Sequence, residues 1–393
     1  MTLAGQLGKT DQFEPTQVAL FFGEPEVTVP DPYFSGKGPD RAGCTFCGGC
    51  MIGCRYNAKN TLDKNYLYLA ERLGATVQAG SEVIDVRPQG AADGSEGYRV
   101  TWQSSTAIIK KKRTITCKGI VFAGGVLGTV ALLLKLKERS LPNLSHKVGS
   151  QVRTNSESLM GVTAYDKDTV FSDGAAITSI LHTDEHSHLE PVRYPSGSGF
   201  WRLLGSPLVQ GSSLVKRLTN IILDLLRHPV QNLKVYFVRD WAKRTQILLF
   251  MQTLDSTLRF SRGSFGMKTS EEQGKKPTAL IPEAGELAER YARIVNGKTM
   301  ALLTETLFGI PTTAHILGGC VMGKDREEGV IDKDNRVFGY EQMYVCDGSM
   351  ISANPGVNPS LTITALAERA MSRIPAKAEN KKGSNDREKM QHP

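Results

Sequence analysis

The 393-residue chain lacks an apolar run long enough to cross a bilayer, since the longest, Val121 to Leu136, is broken by Gly124, Gly125, Gly128 and Lys135. Its first residues, MTLAGQLGKTDQFEP, lack the apolar segment of a secretory signal. Zinc-finger spacing and basic stretches interleaved with aromatics are also missing. The net charge of +8, which comes partly from Lys110–Arg113 and Lys381-Lys382, therefore does not argue for nucleic acid. Cysteine is sparse: there are seven, and four of them fall within Cys44–Cys54, a pattern unlike a secreted disulfide scaffold. No G-x-G-x-x-G occurs, so the glycine fingerprint of a dinucleotide-binding βαβ unit is missing. Cytoplasm is the default location, and peripheral membrane contact stays open.

An apolar content of 40% and a charged content of 22% suit a globular chain long enough for two domains and a large core. The most informative stretch is Met343–Ile374. Met343 to Cys346 read as a short buried strand that stops at the Asp347-Gly348 turn. Asn358-Pro359 then has the form of a helix start, with Asn as cap and Pro in the first turn. Ile363, Leu366, Ala367, Ala370 and Ile374 follow at helical spacing on one face. Such a corner aims unpaired N–H groups at one point, which suits an anionic or electron-rich cofactor group.

Earlier in the chain, residues 1–43 read as a connecting segment in which only Val18–Phe22 has strand character. Cys44, Cys47, Cys50 and Cys54 have the C-x2-C-x2-C-x3-C spacing of a ferredoxin-type cluster run, with Arg55 where Pro usually stands. Either they ligate an iron–sulfur cluster or they form a Gly-rich loop whose cysteines simply pack. A helix is expected over Ala58–Glu71, with Leu62, Tyr66, Leu69 and Leu73 on one face, followed by strands at Thr76-Val77 and Glu82–Val86. Tyr98–Trp102 and Thr114–Cys117 alternate like hairpin strands. The strand Gly119–Phe122 ends in Ala123-Gly124-Gly125 and a helix through Leu136, a corner that admits a phosphate or ribose close to the backbone.

From residue 155 to residue 300 the pattern suggests a second domain, a sheet with covering helices. His186 and His188 lack a third metal ligand at a fitting spacing and read as a solvated turn. Within Leu214–Phe250, basic residues interleave with Leu, Ile, Trp and Phe. The stretch reads as a sheet cover with Lys and Arg facing water, and a helix lying on a membrane surface is the alternative. Residues 301–374 return to the first domain, and the polar 375–393 read as a disordered tail.

DGSMISANPGVNPSLTITALAERAM closely resembles the C-terminal signature of the glucose–methanol–choline (GMC) oxidoreductase family, in its cholesterol-oxidase-like branch. The AGG step at 123–125 and HILGG at 315–319 resemble that family too. The resemblance runs over about residues 16–374. It implies a flavoprotein of the mixed α/β (α+β) class. An incomplete FAD-binding Rossmann-like domain, without its first ADP-binding portion, would join a sheet-based substrate domain. It implies cofactor contacts from Val83, Ala123, Gly124, Gly125, Asp347, Gly348, Asn358, Pro359 and Thr362. It implies catalytic roles for His315, Asn358 and Glu190, the last at Leu189-Glu190-Pro191-Val192. The expected substrate is a sterol or another bulky apolar alcohol, with O2 or an unknown electron acceptor. A flavin dehydrogenase using a Cys44–Cys54 cluster, and an inactive fragment, stand as alternatives.

Overall fold

The computed structural model describes residues 1–264, 266–272 and 277–375. The tail expected to be disordered therefore lies, beyond Pro375, outside the described residues. The early elements are α1 (Thr2–Gln6), β1 (Phe13–Pro15), β2 (Thr28–Val29), β3 (Arg41–Ala42) and α2 (Tyr66–Arg72). Next come β4 (Ser81–Pro88), β5 (Tyr98–Ser104), β6 (Arg113–Cys117), β7 (Ile120–Phe122), α3 (Gly125–Lys137), β8 (Val152–Arg153) and β9 (Ser158–Ala164). The middle holds β10 (Ser179–His182), β11 (Ser187–Val192), β12 (Gly205–Pro207), α4 (Leu214–Arg227), α5 (Pro229–Tyr236), α6 (Trp241–Arg244) and β13 (Thr245–Gln252). The last are β14 (Thr257–Gly263), β15 (Gly266–Glu271), α7 (Pro282–Ile294), β16 (Gly297–Leu302), α8 (Leu303–Phe308), β17 (Met343–Val345) and α9 (Ser360–Ser372). The class is mixed α/β.

The first core forms around α3. Val126, Val130, Leu133 and Leu136 recur at helical spacing and bury against Met343 and Val345 of β17. β17 pairs in parallel with β7, Met343 opposite Ile120 and Val345 opposite Phe122. Parallel strands are normally covered on both faces. Here Val121 stays exposed, which leaves an apolar wall beside the β7–α3 corner. The antiparallel meander β4-β5-β6 stands next to it.

The second core lies under a seven-stranded sheet of order β1-β10-β11-β13-β9-β16-β12. The apolar run Ile247–Met251 makes β13 an inner strand, paired with β11 on one side and β9 on the other. Helix α7 starts on Pro282 and lays Ala284, Leu287, Ala288 and Ala292 on the sheet, the three alanines letting it lie close.

Several boundaries differ from the sequence reading. Residues 1–43 are no mere connector, because Leu3 and Ala4 join the second core and β1 extends its sheet beside β10. Val18–Phe22 is not a strand. The helix expected over 58–71 shrinks to a 3-10 turn at Leu62–Lys64 and α2, with Leu62, Tyr66 and Leu73 exposed, and Thr76-Val77 is irregular. The β14-β15 hairpin, expected in the substrate domain, packs Phe260 into the first core. His188 is buried inside β11, not in a solvated turn. Helix α4 buries no residue fully and turns all its leucines except Leu223 outward, so it is not the sheet cover expected.

Candidate active site

Three chain segments bring the expected catalytic residues onto one sheet. β11 positions Glu190, which lies opposite Leu249 of β13, and Leu249 in turn lies opposite Leu159 of β9. Glu157 lies just before β9, two residues ahead of Leu159. Both carboxylates are buried. Each holds one residue of a returning loop.

Glu157 takes the histidine. His315 Nδ1 lies 2.6 Å from Glu157 Oε2, and the Ala314 N–H donates to the other carboxylate oxygen. The Glu157 side chain is 0% exposed and the imidazole 15%, so the pair is shielded from water on the carboxylate side. With Nδ1 engaged, the ring presents Nε2, for which no hydrogen bond is seen among the described residues. A carboxylate on Nδ1 fixes the tautomer that leaves a lone pair on Nε2.

Glu190 takes the asparagine. Asn358 Nδ2 lies 3.1 Å from Glu190 Oε1 and 3.0 Å from Oε2. This corrects the cap reading. Helix α9 begins at Ser360 with Pro359 at its mouth, and Asn358 reaches across to β11 instead of capping it. The first N–H groups of α9 consequently have no side-chain cap. The loop is anchored elsewhere: Asn155 Nδ2 donates to Val357 O at 2.7 Å, and Asn354 Nδ2 donates to Gln252 O and Leu254 O, both at 2.8 Å. His188 Nε2 lies 3.5 Å from Glu190 Oε1 without hydrogen-bond geometry and is otherwise unpartnered.

Two acidic residues went unnoticed in the sequence. Glu157 is one. The other is Glu305 of α8, 1% exposed, whose Oε1 accepts from the Thr312 N–H at 3.1 Å while Oε2 has no partner. Burial pushes its carboxyl up to about 7, and the charge of Glu157 adds to this against the opposing Thr312 bond. A single acidic letter within Leu302–Phe308 was the only available signal, and it does not report burial. Glu305 also lines a cavity of about 510 Å³ shared with Gln210, Ser212 and Arg217.

The residues expected to touch cofactor form a second neighbourhood. Val83 of β4, Val121, Ala123, Gly124 and Gly128 line a groove of about 740 Å³ at the β7–α3 corner. A side chain at Gly125 (φ +73) or Gly128 would meet no atom within 4 Å, so the backbone there is open to a ligand. Thr362 is half-buried in the first turn of α9. Asp347 is bonded within the chain. Its Oδ2 accepts from Thr129 Oγ1 at 2.5 Å, and its Oδ1 accepts from the Ser349 N–H and hydroxyl at 2.8 and 2.5 Å. The carboxylate braces the turn at Gly348 and ties it to α3.

The cysteine loop does not have the geometry of a cluster site. Cys44 is buried, Cys47 exposed, and Cys50 and Cys54 half-buried. The space they share is about 10 Å³, too small for an iron–sulfur cluster, and no metal-ligating group of three or more is found among the described residues. This packing favours the Gly-rich loop over the cluster. Burial raises the Cys44 thiol. At Cys54 burial acts in the same direction but is outweighed by the backbone N–H groups of Lys59, Ala58 and Tyr56.

Residues 261–367 match the family model described as GMC oxidoreductase. A cholesterol oxidase of Acinetobacter baumannii is 47% identical over 382 residues, spanning 94% of this chain and 69% of that protein. A cholesterol oxidase of Mycobacterium tuberculosis is 41% identical over 394 residues, spanning 96% and 68%. Among solved structures, pyridoxine 4-oxidase from Mesorbium loti is similar over 78% of this chain at 16% identity and a TM-score of 0.48. A formate oxidase of Aspergillus oryzae is similar over 79% at 11% identity and a TM-score of 0.49. The chain spans 60% and 62% of those two structures.

Proposed function

Because the chain belongs to the GMC oxidoreductase family, we propose that it oxidises a secondary hydroxyl of a bulky apolar alcohol, a 3-hydroxysteroid such as cholesterol, with FAD as its redox group and O2 as electron acceptor. The names of the two bacterial relatives support the substrate class. The open backbone at Gly125 and Gly128 and the apolar groove beside it fit the nucleotide end of FAD. Val83, Ala123, Gly124 and Gly125 would hold that end, and Gly348, Pro359, Thr362 and the first N–H groups of α9 the flavin end. When bound, FAD supplies the hydride acceptor for the carbinol carbon.

His315 does the proton chemistry. Its Nε2 accepts the hydroxyl proton as the carbon is oxidised, and buried Glu157 stabilises the imidazolium through Nδ1. Asn358 cannot titrate, so it orients the substrate oxygen by hydrogen bonding while Glu190 fixes its rotamer. If a ring double bond also migrates, Glu190 carries the carbon-bound proton after letting go of Asn358. The buried His315–Glu157 contact is the observation that carries this reading. The test is steroid turnover by the FAD-loaded protein. His315→Ala is expected to lose at least about a hundredfold, the usual loss when general acid–base help is removed. Undiminished turnover in that variant would overturn the assignment.

A further inference from the structure

Helix α4 wears its amphipathicity inside out. Its half-buried positions are Arg217, Asn220, Ile221, Leu223 and Asp224, whereas Leu214, Val215, Leu218, Ile222, Leu225 and Leu226 face outward. Exposure reaches 72% at Val215 and 71% at Leu226. Two of the three inward polar side chains are bonded, while Arg217 keeps a buried Nε without a partner. Asn220 Nδ2 donates to Gln210 O at 2.7 Å, and Asp224 Oδ2 receives Lys298 Nζ at 2.8 Å and Asn232 Nδ2 at 3.1 Å. Ser213 Oγ caps the helix on the Lys216 N–H at 3.2 Å. This orientation is fixed by specific bonds. Helix α5 continues the face with Val230 and Leu233, and Phe237 follows at 79% exposed.

A soluble helix normally buries its apolar stripe, and a patch of this kind marks an interaction surface. Its charge indicates the partner. Between Gly199 and Arg239 there are six Lys and Arg against one acidic residue, Asp224, which Lys298 already neutralises. Lys216, Arg227, Lys234 and Arg239 are all exposed beside the apolar positions. A second copy docked face to face would set these cations against their own kind. Nor is the helix a span: α4 has 14 residues, and no helix among the described residues is long and apolar enough to cross a membrane.

We propose that the α4–α5 face is a monotopic membrane-docking surface, lying in the plane of an anionic bilayer with its leucines at the acyl boundary and its cations on lipid phosphates. The inference is independent of the substrate and the flavin. The test is flotation of the full chain with vesicles of phosphatidylcholine alone and of phosphatidylcholine with phosphatidylglycerol. The wild type is expected to float with the anionic vesicles. The triple variant Leu218→Ser, Ile222→Ser, Leu226→Ser should keep its circular dichroism and lower partitioning on the order of a hundredfold. Lys216→Gln, Arg227→Gln, Lys234→Gln should cost a similar factor on anionic vesicles only. Wild-type protein that stays unbound, or triple variants that bind as well as it does, would overturn the proposal. So would a wild-type dimer that the serine variant dissociates, because the face would then belong to a second copy.

Discussion

Replacing Glu305 by Gln isolates a buried carboxyl whose ionisation the fold opposes. The side chain is 1% exposed, one of its oxygens has no partner, and burial lifts it from an ordinary 4.5 to about 7. The sign of the pH effect follows. Below about pH 4.5 Glu305 is neutral in both the folded and the unfolded chain, and its contribution to stability is complete. As pH rises toward 7 the unfolded chain releases this proton while the folded chain keeps it, so stability falls, and above that the loss is complete. At about 1.4 kcal/mol per pH unit, the interval corresponds to roughly 3 kcal/mol. The assay is urea unfolding of wild type and Glu305→Gln at several pH values from 4.5 to 8. Groups that do not interact with Glu305 titrate equally in both proteins, and the amide adds only a constant offset, so the difference between the two curves reports Glu305 and its coupling to Glu157. Wild type should lose about 3 kcal/mol relative to the variant across that window. Parallel curves would refute the buried neutral acid. A difference of opposite sign would mean that a cation, with Arg217 in the same cavity the first candidate, stabilises the ionised form.

Three further substitutions probe the scaffold under the site. Gly356→Ala demands φ +63 of an L residue and sets Cβ 2.5 Å from the Thr253 methyl, so urea unfolding should show a loss of roughly 2 kcal/mol or more; an unchanged midpoint would refute the close approach. Thr129→Val removes the donor to Asp347 and the acceptor for the Gly124 N–H, and should cost about 2 kcal/mol; a loss under about 0.5 kcal/mol would show that the Asp347 brace is dispensable. Asn358→Ala strips both hydrogen bonds from buried Glu190 and should lower stability by about 2–3 kcal/mol in thermal or urea melts; a neutral result would mean that Glu190 finds another partner.

What the chain disclosed by itself depended on how far apart the interacting residues lie. The β17–turn–α9 corner and the β7–α3 corner were legible because each is written in consecutive letters, a short apolar run, a Gly-rich turn and then helical spacing. Short elements such as α1 and β1 carry too few residues for any period, and only pairing with β10 and packing under α7 makes them structural. Asn358 misled for a different reason. Its position beside Pro359 satisfies the rule for a cap, but Glu190 claims its amide from 168 residues away, and a bond to a buried carboxylate outcompetes a local one. Glu157 and Glu305 had no local rule to reveal them, since burial of an isolated acid is decided by whatever folds over it. Helix α4 makes the same point from the opposite side. Periodicity identifies an apolar stripe, but it cannot say which way the stripe faces, because inside and outside are fixed by bonds to Gln210 and Asn232 in the flanking segments and to Lys298, 74 residues away. A stripe held outward by such bonds gains nothing from this chain's own core, so the free energy of covering it must come from contact with something else.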